Sequence, residues 1–254
     1  MLMDCYVINL DRSVGRWERL VQSFSGLELN LIRISAVDGK MIDFPHPEYS
    51  EKRYRLYHSK KTHPNEVGCY FSHMKVLRAF LTSSQEHALI CEDDISAKPE
   101  LVDVLREALR YRHSWDILRL NGLNTPVQVP VAPLIPGYQL TIPLTWYGGA
   151  GAYMVNRKAA ERLLKHIVPM RIPYDHALDQ NWLMRLTIAM IKPYPIVLNE
   201  TSGDSMIAQH KSYKLPFFQR YVTVLPYRGA MTLGYWIKQL STTAKYLIRK
   251  PKPK

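Results

Sequence analysis

The octapeptide His87-Ala88-Leu89-Ile90-Cys91-Glu92-Asp93-Asp94 sets a short apolar run directly before three carboxylates. The apolar part has the length and composition of a buried strand. Three adjacent acids repel one another unless something positive neutralises them. Hard oxygen ligands of this kind suit magnesium or manganese, and such a cation can bridge a diphosphate. A solvated acidic turn is the plain alternative. Near the start, Arg12, Arg16 and Arg19 recur at helical spacing around Ser13, and an arginine close to a helix N-terminus can meet phosphate. Asp38, in Asp38-Gly39, can cap a turn or bond a ribose or base. Asp175 and Asp179 lie four residues apart and share a face if both are helical, although Asp175 can equally be an N-cap.

The surrounding pattern supplies elements to hold these groups. Cys5–Asn9 reads as a buried first strand, followed by a turn and a helix with Ser13 as N-cap. A second strand covers 29–34. Residues 43–64 are polar, aromatic and rich in His and Pro, which predicts loop. Asn65 then caps a helix to about Leu81 with Val67, Tyr70, Phe71, Met74 and Leu77 as its apolar stripe, and Ser72 and His73 toward one side. A lone helical histidine is usually a packed or surface residue. After the central strand come a helix with Pro99 in its first turn, a strand at 115–120, a strand at 152–155, a helix from Asn156 to about Ile167 and a short strand at 196–198. From Leu120 to Asn156 there is no charged residue, but five prolines argue against a membrane span. Gly148-Gly149-Ala150-Gly151 permits close backbone approach to a ligand, or marks a bend.

The order of these pieces resembles glycosyltransferase family 25, the bacterial lipooligosaccharide galactosyltransferase type. The stretches YVINLDRSVGRWERL, AVDGK, NEVGCYFSHMKVLRAF and EHALICEDD carry the resemblance, supported by GAYMVNRKAAERLL and PYDHALDQ. The chain departs from the family pattern at Tyr70 and Phe71, where a smaller residue usually follows the Gly-Cys pair. The resemblance implies an α/β, GT-A-like single domain with a mostly parallel central sheet flanked by helices. It implies a UDP-sugar donor, galactose first among the sugars, transferred with inversion to a lipooligosaccharide-type acceptor. Its acidic motif corresponds to Glu92, Asp93 and Asp94, with Asp94 and Glu92 as ligands of a divalent cation, Mn2+ or Mg2+. The implied donor-binding set is Asn9, Leu10, Arg12, Arg16, Ala36, Asp38, Ser72, His73 and Asp93. Inversion needs a base to take the acceptor hydroxyl proton, for which Asp175 and Asp179 are the candidates. His210 is either a further ligand of the cation site from the C-terminal side or, as its plain alternative, a surface residue.

Composition bounds the rest. With 254 residues, 46% of them hydrophobic, the chain can bury a sizeable core. Its three cysteines read as reduced core residues of a cytoplasmic protein. The N-terminus is charged too soon for a signal peptide. The net charge of +12 is concentrated after Asp204, where ten lysines and arginines stand with no acid and with eight aromatic residues. This divides the chain into a transferase domain, 1–204, and a basic aromatic segment, 205–254. The stretch from Tyr235 to Lys250 is expected to form a helix with apolar and basic sides lying on an anionic membrane surface, which, with the bacterial family that the chain resembles, implies the inner face of the bacterial inner membrane. No nucleic-acid motif accompanies the basic segment, so nucleic acid is not expected as a partner. The alternative of a different class is a non-catalytic glycan- or lipid-binding protein with a degenerate transferase fold. A two-metal phosphoesterase would need more His/Asp ligand motifs than this chain offers.

Overall fold

A computed structural model of the chain describes residues 3–146, 148–199, 213, 216, 218 and 224–253. Its strands are β1 (Met3–Asn9), β2 (Leu29–Ser35), β3 (His87–Glu92), β4 (Ile95–Ala97), β5 (Ile117–Arg119), β6 (Gln128–Pro133), β7 (Gln139–Pro143), β8 (Ala152–Asn156), β9 (Ile188–Lys192) and β10 (Ile196–Leu198). Its helices are α1 (Val14–Ser23), α2 (Glu51–His58), α3 (Pro64–Thr82), α4 (Leu101–Arg110), α5 (Arg157–Ile167), α6 (Tyr174–Leu178) and α7 (Leu225–Ile248).

Eight of these strands form one sheet in the order β2-β1-β3-β8-β5-β9-β7-β6, and β4 pairs with β10 apart from it. β8 and β7 run against the other six, so the sheet is mixed but mostly parallel in strand direction. Residues alternate across it. Tyr6, Ile8, Ala88, Ile90, Tyr153 and Val155 face a core built with α3, α5 and α6. Cys5, Val7, Leu89, Cys91, Ala152 and Met154 face a second core with α1 and α4. Helices thus cover both faces, as a parallel sheet requires. The expected α/β architecture is what the chain forms.

Register fixes where chemistry can occur. Asn9 stands opposite Ser35, and Ile8 opposite Glu92, so three parallel strands end along one rim. The antiparallel β8 begins at that rim, with Ala152 opposite Cys91, and the Glu92 amide donates to the Gly151 carbonyl at 2.8 Å. The carboxylate motif, the arginine turn and the glycine loop therefore converge at carboxyl ends of strands, where open α/β sheets bind ligands.

Four local expectations need correction. Residues 51–58, expected as loop, form α2, because Tyr54 and His58, one turn apart, bury one face of an otherwise polar segment of good helix formers. α3 is capped by His63, whose side chain accepts from the Glu66 amide, and not by Asn65. Ser13 holds the N-cap position of α1 but makes no side-chain capping bond. Cys69 is not a core residue: Cys5 and Cys91 are buried in the sheet, whereas Cys69 is half-buried at the rim. The expected division at 204/205 and the candidate His210 lie outside the described residues, as do Lys211, Lys214, Phe217, Arg220 and Tyr221.

Candidate active site

Each of the three carboxylates has a different environment. Glu92 ends β3, and its Oε1 lies 3.2 Å from His73 Nε2. Asp93 accepts from Asn9 Nδ2 at 2.7 Å and from Arg16 Nη1 at 3.1 Å, so both its oxygens have partners. Asp94 has a buried Oδ1 with no hydrogen-bond partner among the described residues. Burial, and after it the charges of Glu92 and Asp93, push its carboxyl up to about 7. A buried acceptor without a donor, beside two further carboxylates, fits a hard divalent cation.

A cavity of about 120 Å³ opens on one side of this cluster, and the expected donor residues Leu10, Arg12, Arg16, Ala36, Asp38, Ser72 and Asp93 line it. Asn9 and His73 do not; they are buried behind the wall and touch Asp93 and Glu92 respectively. Arg12 pairs with Asp38, and that contact, helped by the Lys40 amide, holds the Asp38 carboxyl below its ordinary range. Ser72 Oγ accepts from the Val37 amide at 2.8 Å and donates to the Gly68 carbonyl at 2.7 Å. Gly39 and Gly68 make this crossing possible. A Cβ on Gly68 would sit 2.6 Å from the Val37 carbonyl oxygen, and one on Gly39 would lie 2.0 Å from that of Pro64. The glycines of AVDGK and NEVGC are therefore explained by backbone contact between α3 and the Asp38 turn.

A second cavity, of about 340 Å³, adjoins the first across Cys69, Glu92 and Asp94, which border both. Its far wall contains Asp175, whose carboxylate accepts from the Gly149 amide at 3.2 Å and from the His176 amide at 2.9 Å. Asp179 lies elsewhere. It is buried and borders a third cavity of about 360 Å³, which Asp175, His176, Trp146, Tyr227 and Arg228 also line. The two aspartates do face common space, but only Asp175 also faces the cavity that contains Glu92 and Asp94.

Three features were missed in the sequence. His58, Lys60 and Glu66 form part of the second cavity's wall, with Lys60 Nζ 2.9 Å from Glu66 and the Tyr54 hydroxyl on the same carboxylate. The helical signal of 51–58 was hidden by its polarity. Behind Glu92 a chain of side chains runs inward: the Tyr174 and Tyr153 hydroxyls are 2.8 Å apart, and Tyr153 lies 3.0 Å from His73 Nδ1. The His73 ring also stacks on Tyr174 at 4.0 Å. Arg119, fully buried, donates to the Gly149 carbonyl and so braces the loop from its other side. A single arginine inside the apolar strand WDILRL was the available signal.

The family model of glycosyltransferase family 25, described as an LPS biosynthesis protein, matches residues 3–130. A glycosyltransferase 25 family member of Anopheles gambiae is 23% identical over 230 residues, covering 80% of this chain and 38% of the relative. Procollagen galactosyltransferase 1 of Danio rerio is 23% identical over 175 residues, covering 64% of this chain and 28% of the relative. The chain thus spans well under half the length of these relatives. A solved glycosyltransferase, involved in glycosylation of the major capsid of PBCV-1, aligns with a TM-score of 0.33 and 10% identity over 66% of this chain and 67% of its own.

Proposed function

The chain belongs to glycosyltransferase family 25, and from that premise we propose that it transfers galactose, with inversion, from UDP-galactose to a lipid-linked oligosaccharide of the lipopolysaccharide type. The small cavity takes the nucleoside diphosphate. Arg12 and Arg16 face its phosphates, Asp38 faces ribose or base, and Asn9 and Ser72 fix the walls. Asp94, with Glu92 or Asp93, is the place for Mn2+ or Mg2+, which when bound offsets negative charge developing on the leaving diphosphate. The sugar projects past Cys69 into the larger cavity, where the acceptor enters. Asp175 takes the proton of the acceptor hydroxyl as that oxygen bonds to the anomeric carbon. The bond from that carbon to the diphosphate oxygen breaks, and the nucleoside diphosphate leaves with the electron pair.

The observation that carries this reading is the placement of Glu92 and Asp94 in the wall common to two cavities, one lined by arginines and the other by Asp175. The acceptor class is supported by the family's description as an LPS biosynthesis protein and by the outer face of α7. That face exposes Leu233, Trp236, Ile237, Leu240, Leu247 and Ile248, with exposed Lys245, Arg249, Lys250 and Lys252 at its C-terminal end. We place it on the anionic inner surface of the bacterial inner membrane. Among the described residues no helix is long and apolar enough to cross a membrane.

The test is a panel of nucleotide sugars with manganese and the intact protein, read by melting temperature and by nucleoside diphosphate release. UDP-galactose should raise the melting temperature, and acceptor should accelerate release. Binding without release under any acceptor would favour the non-catalytic alternative. No stabilisation by any nucleotide sugar would overturn the transferase reading and leave the glycan- or lipid-binding one.

A further inference from the structure

Cys69 borders both cavities, yet glycosyl transfer as described gives its thiol no task. We propose that Cys69, His73 and Glu92 form a second metal site, sharing Glu92 with the hard-cation cluster, that takes a thiophilic divalent cation of the zinc class. Cys69 and His73 are four residues apart on α3 and so project from one face. Glu92 meets them from the end of β3. One donor atom from each residue lies within 4.8 Å of the others. His73 Nε2 and Glu92 Oε1 are 3.2 Å apart. That is close to the edge of a tetrahedral zinc site, about 3.3 Å for bonds of about 2.0–2.1 Å.

The support behind the ligands is also that of a metal site. The remaining ring nitrogen of His73 contacts the Tyr153 hydroxyl, which in turn contacts Tyr174, and Tyr174 stacks on the imidazole. Ligating histidines are normally held this way through their second nitrogen. If Nδ1–H donates to Tyr153, the Nε2 lone pair faces the Glu92 carboxylate, and a shared cation satisfies both acceptors. Asp94, Asp175 and Glu66 add negative charge around the thiol. A sulfur, a nitrogen and one carboxylate oxygen, with a fourth position open to the cavities, select zinc or cadmium over magnesium or manganese. On binding, the Cys69 thiol releases its proton to water and the thiolate sulfur bonds to the metal. Because Glu92 is common to this site and to the hard-cation cluster, occupation would obstruct the passage between the two cavities.

The experiment is cadmium titration of the intact protein without nucleotide sugar, so its result does not depend on the transferase reading. The signal is the ultraviolet thiolate-to-cadmium charge-transfer absorption. It should saturate at one cadmium per chain, survive excess manganese, disappear on addition of zinc, and persist in Asp94→Asn. It should be lost in Cys69→Ser and in Cys69→Ala. Comparing the metal-free melting temperatures of these two variants with that of the wild type identifies any loss due to misfolding, and the manganese competition stands on the wild type alone. Absence of the band in the wild type, its displacement by manganese, or its survival in a folded Cys69 variant would overturn the proposal.

Discussion

At the scale of single residues, Asp94 is held in a state that suits a cation and penalises the fold. Its carboxyl titrates near 7 in the folded protein against an ordinary 3.8. In the cation-free protein the fold therefore binds this proton more tightly than the unfolded chain does. Stability from this group falls as pH rises from about 4 to about 7, and the penalty is complete above that. Asp94→Asn should accordingly melt higher than wild type at about pH 8 without metal, with the difference shrinking toward about pH 4. The variant should gain nothing from manganese and should not transfer sugar, whereas wild type is stabilised by the ion. Melting curves with and without manganese at the two pH values decide this. A wild type that melts higher than the variant without metal at the alkaline pH would refute it. For the base, Asp175→Asn is expected to lower turnover by ~10²–10⁴-fold with donor binding retained. Asp179→Asn is expected to leave turnover within a few-fold, because its carboxylate does not border the cavity of Glu92 and Asp94. Steady-state release of nucleoside diphosphate from the two variants is the measurement, and equal losses in both would count against Asp175 as the base.

At the scale of elements, two contacts position everything else. α3 crosses the Asp38 turn through Gly39 and Gly68, and that contact aligns Ser72 and Cys69 with the rim. Gly68→Ala forces this crossing open, since a Cβ would lie 2.6 Å from the Val37 carbonyl oxygen. The expected cost is about 1–3 kcal/mol in urea unfolding, with weaker donor binding. α7 is the second case. Tyr235 and Tyr246, expected among the membrane-facing aromatics, are instead buried against the body, because their hydroxyls find the carbonyls of Pro143 and Ser114. Gln239 also donates to the Pro143 carbonyl at 2.8 Å. The inward face is thus used up in packing, while Trp236 is 48% exposed and Ile248 81% exposed on the other. Replacing Trp236 and Leu240 together by Glu should abolish co-sedimentation with anionic vesicles and leave the melting temperature within a few degrees. Unchanged co-sedimentation would remove α7 as the docking element.

At the scale of the whole molecule, charge and shape act together. The excess of positive charge lies after Asp204, while the carboxylates that would meet a cation lie at the sheet rim. Each cation near an anionic surface contributes about 1 kcal/mol, so vesicle binding should weaken steeply as ionic strength rises. Transfer to a water-soluble acceptor should change little over the same range. Parallel titrations with salt separate the two. Binding that is indifferent to salt would mean the apolar stripe acts without the charges.

The sequence by itself determined the strand-end carboxylates, the arginine turn, the Asp38 turn and the family, because these are local: an apolar run, a spacing, a turn residue. It also showed most strands and helices, for hydrophobic period reports burial within one element. Only the tertiary structure decided between Asp175 and Asp179 as neighbours of the carboxylate cavity, since both fit one helical spacing and differ in which cavity they border. It alone placed His73 behind Glu92 and Asn9 behind Asp93, and brought Cys69 to the junction of the cavities. These are contacts between residues far apart in the chain, as with Asn9 and Asp93, joined by the pairing of β1 with β3. Polar α2 was illegible for a related reason. Its burial comes from tertiary contacts of Tyr54 and His58, and not from an apolar stripe that could be read along the chain.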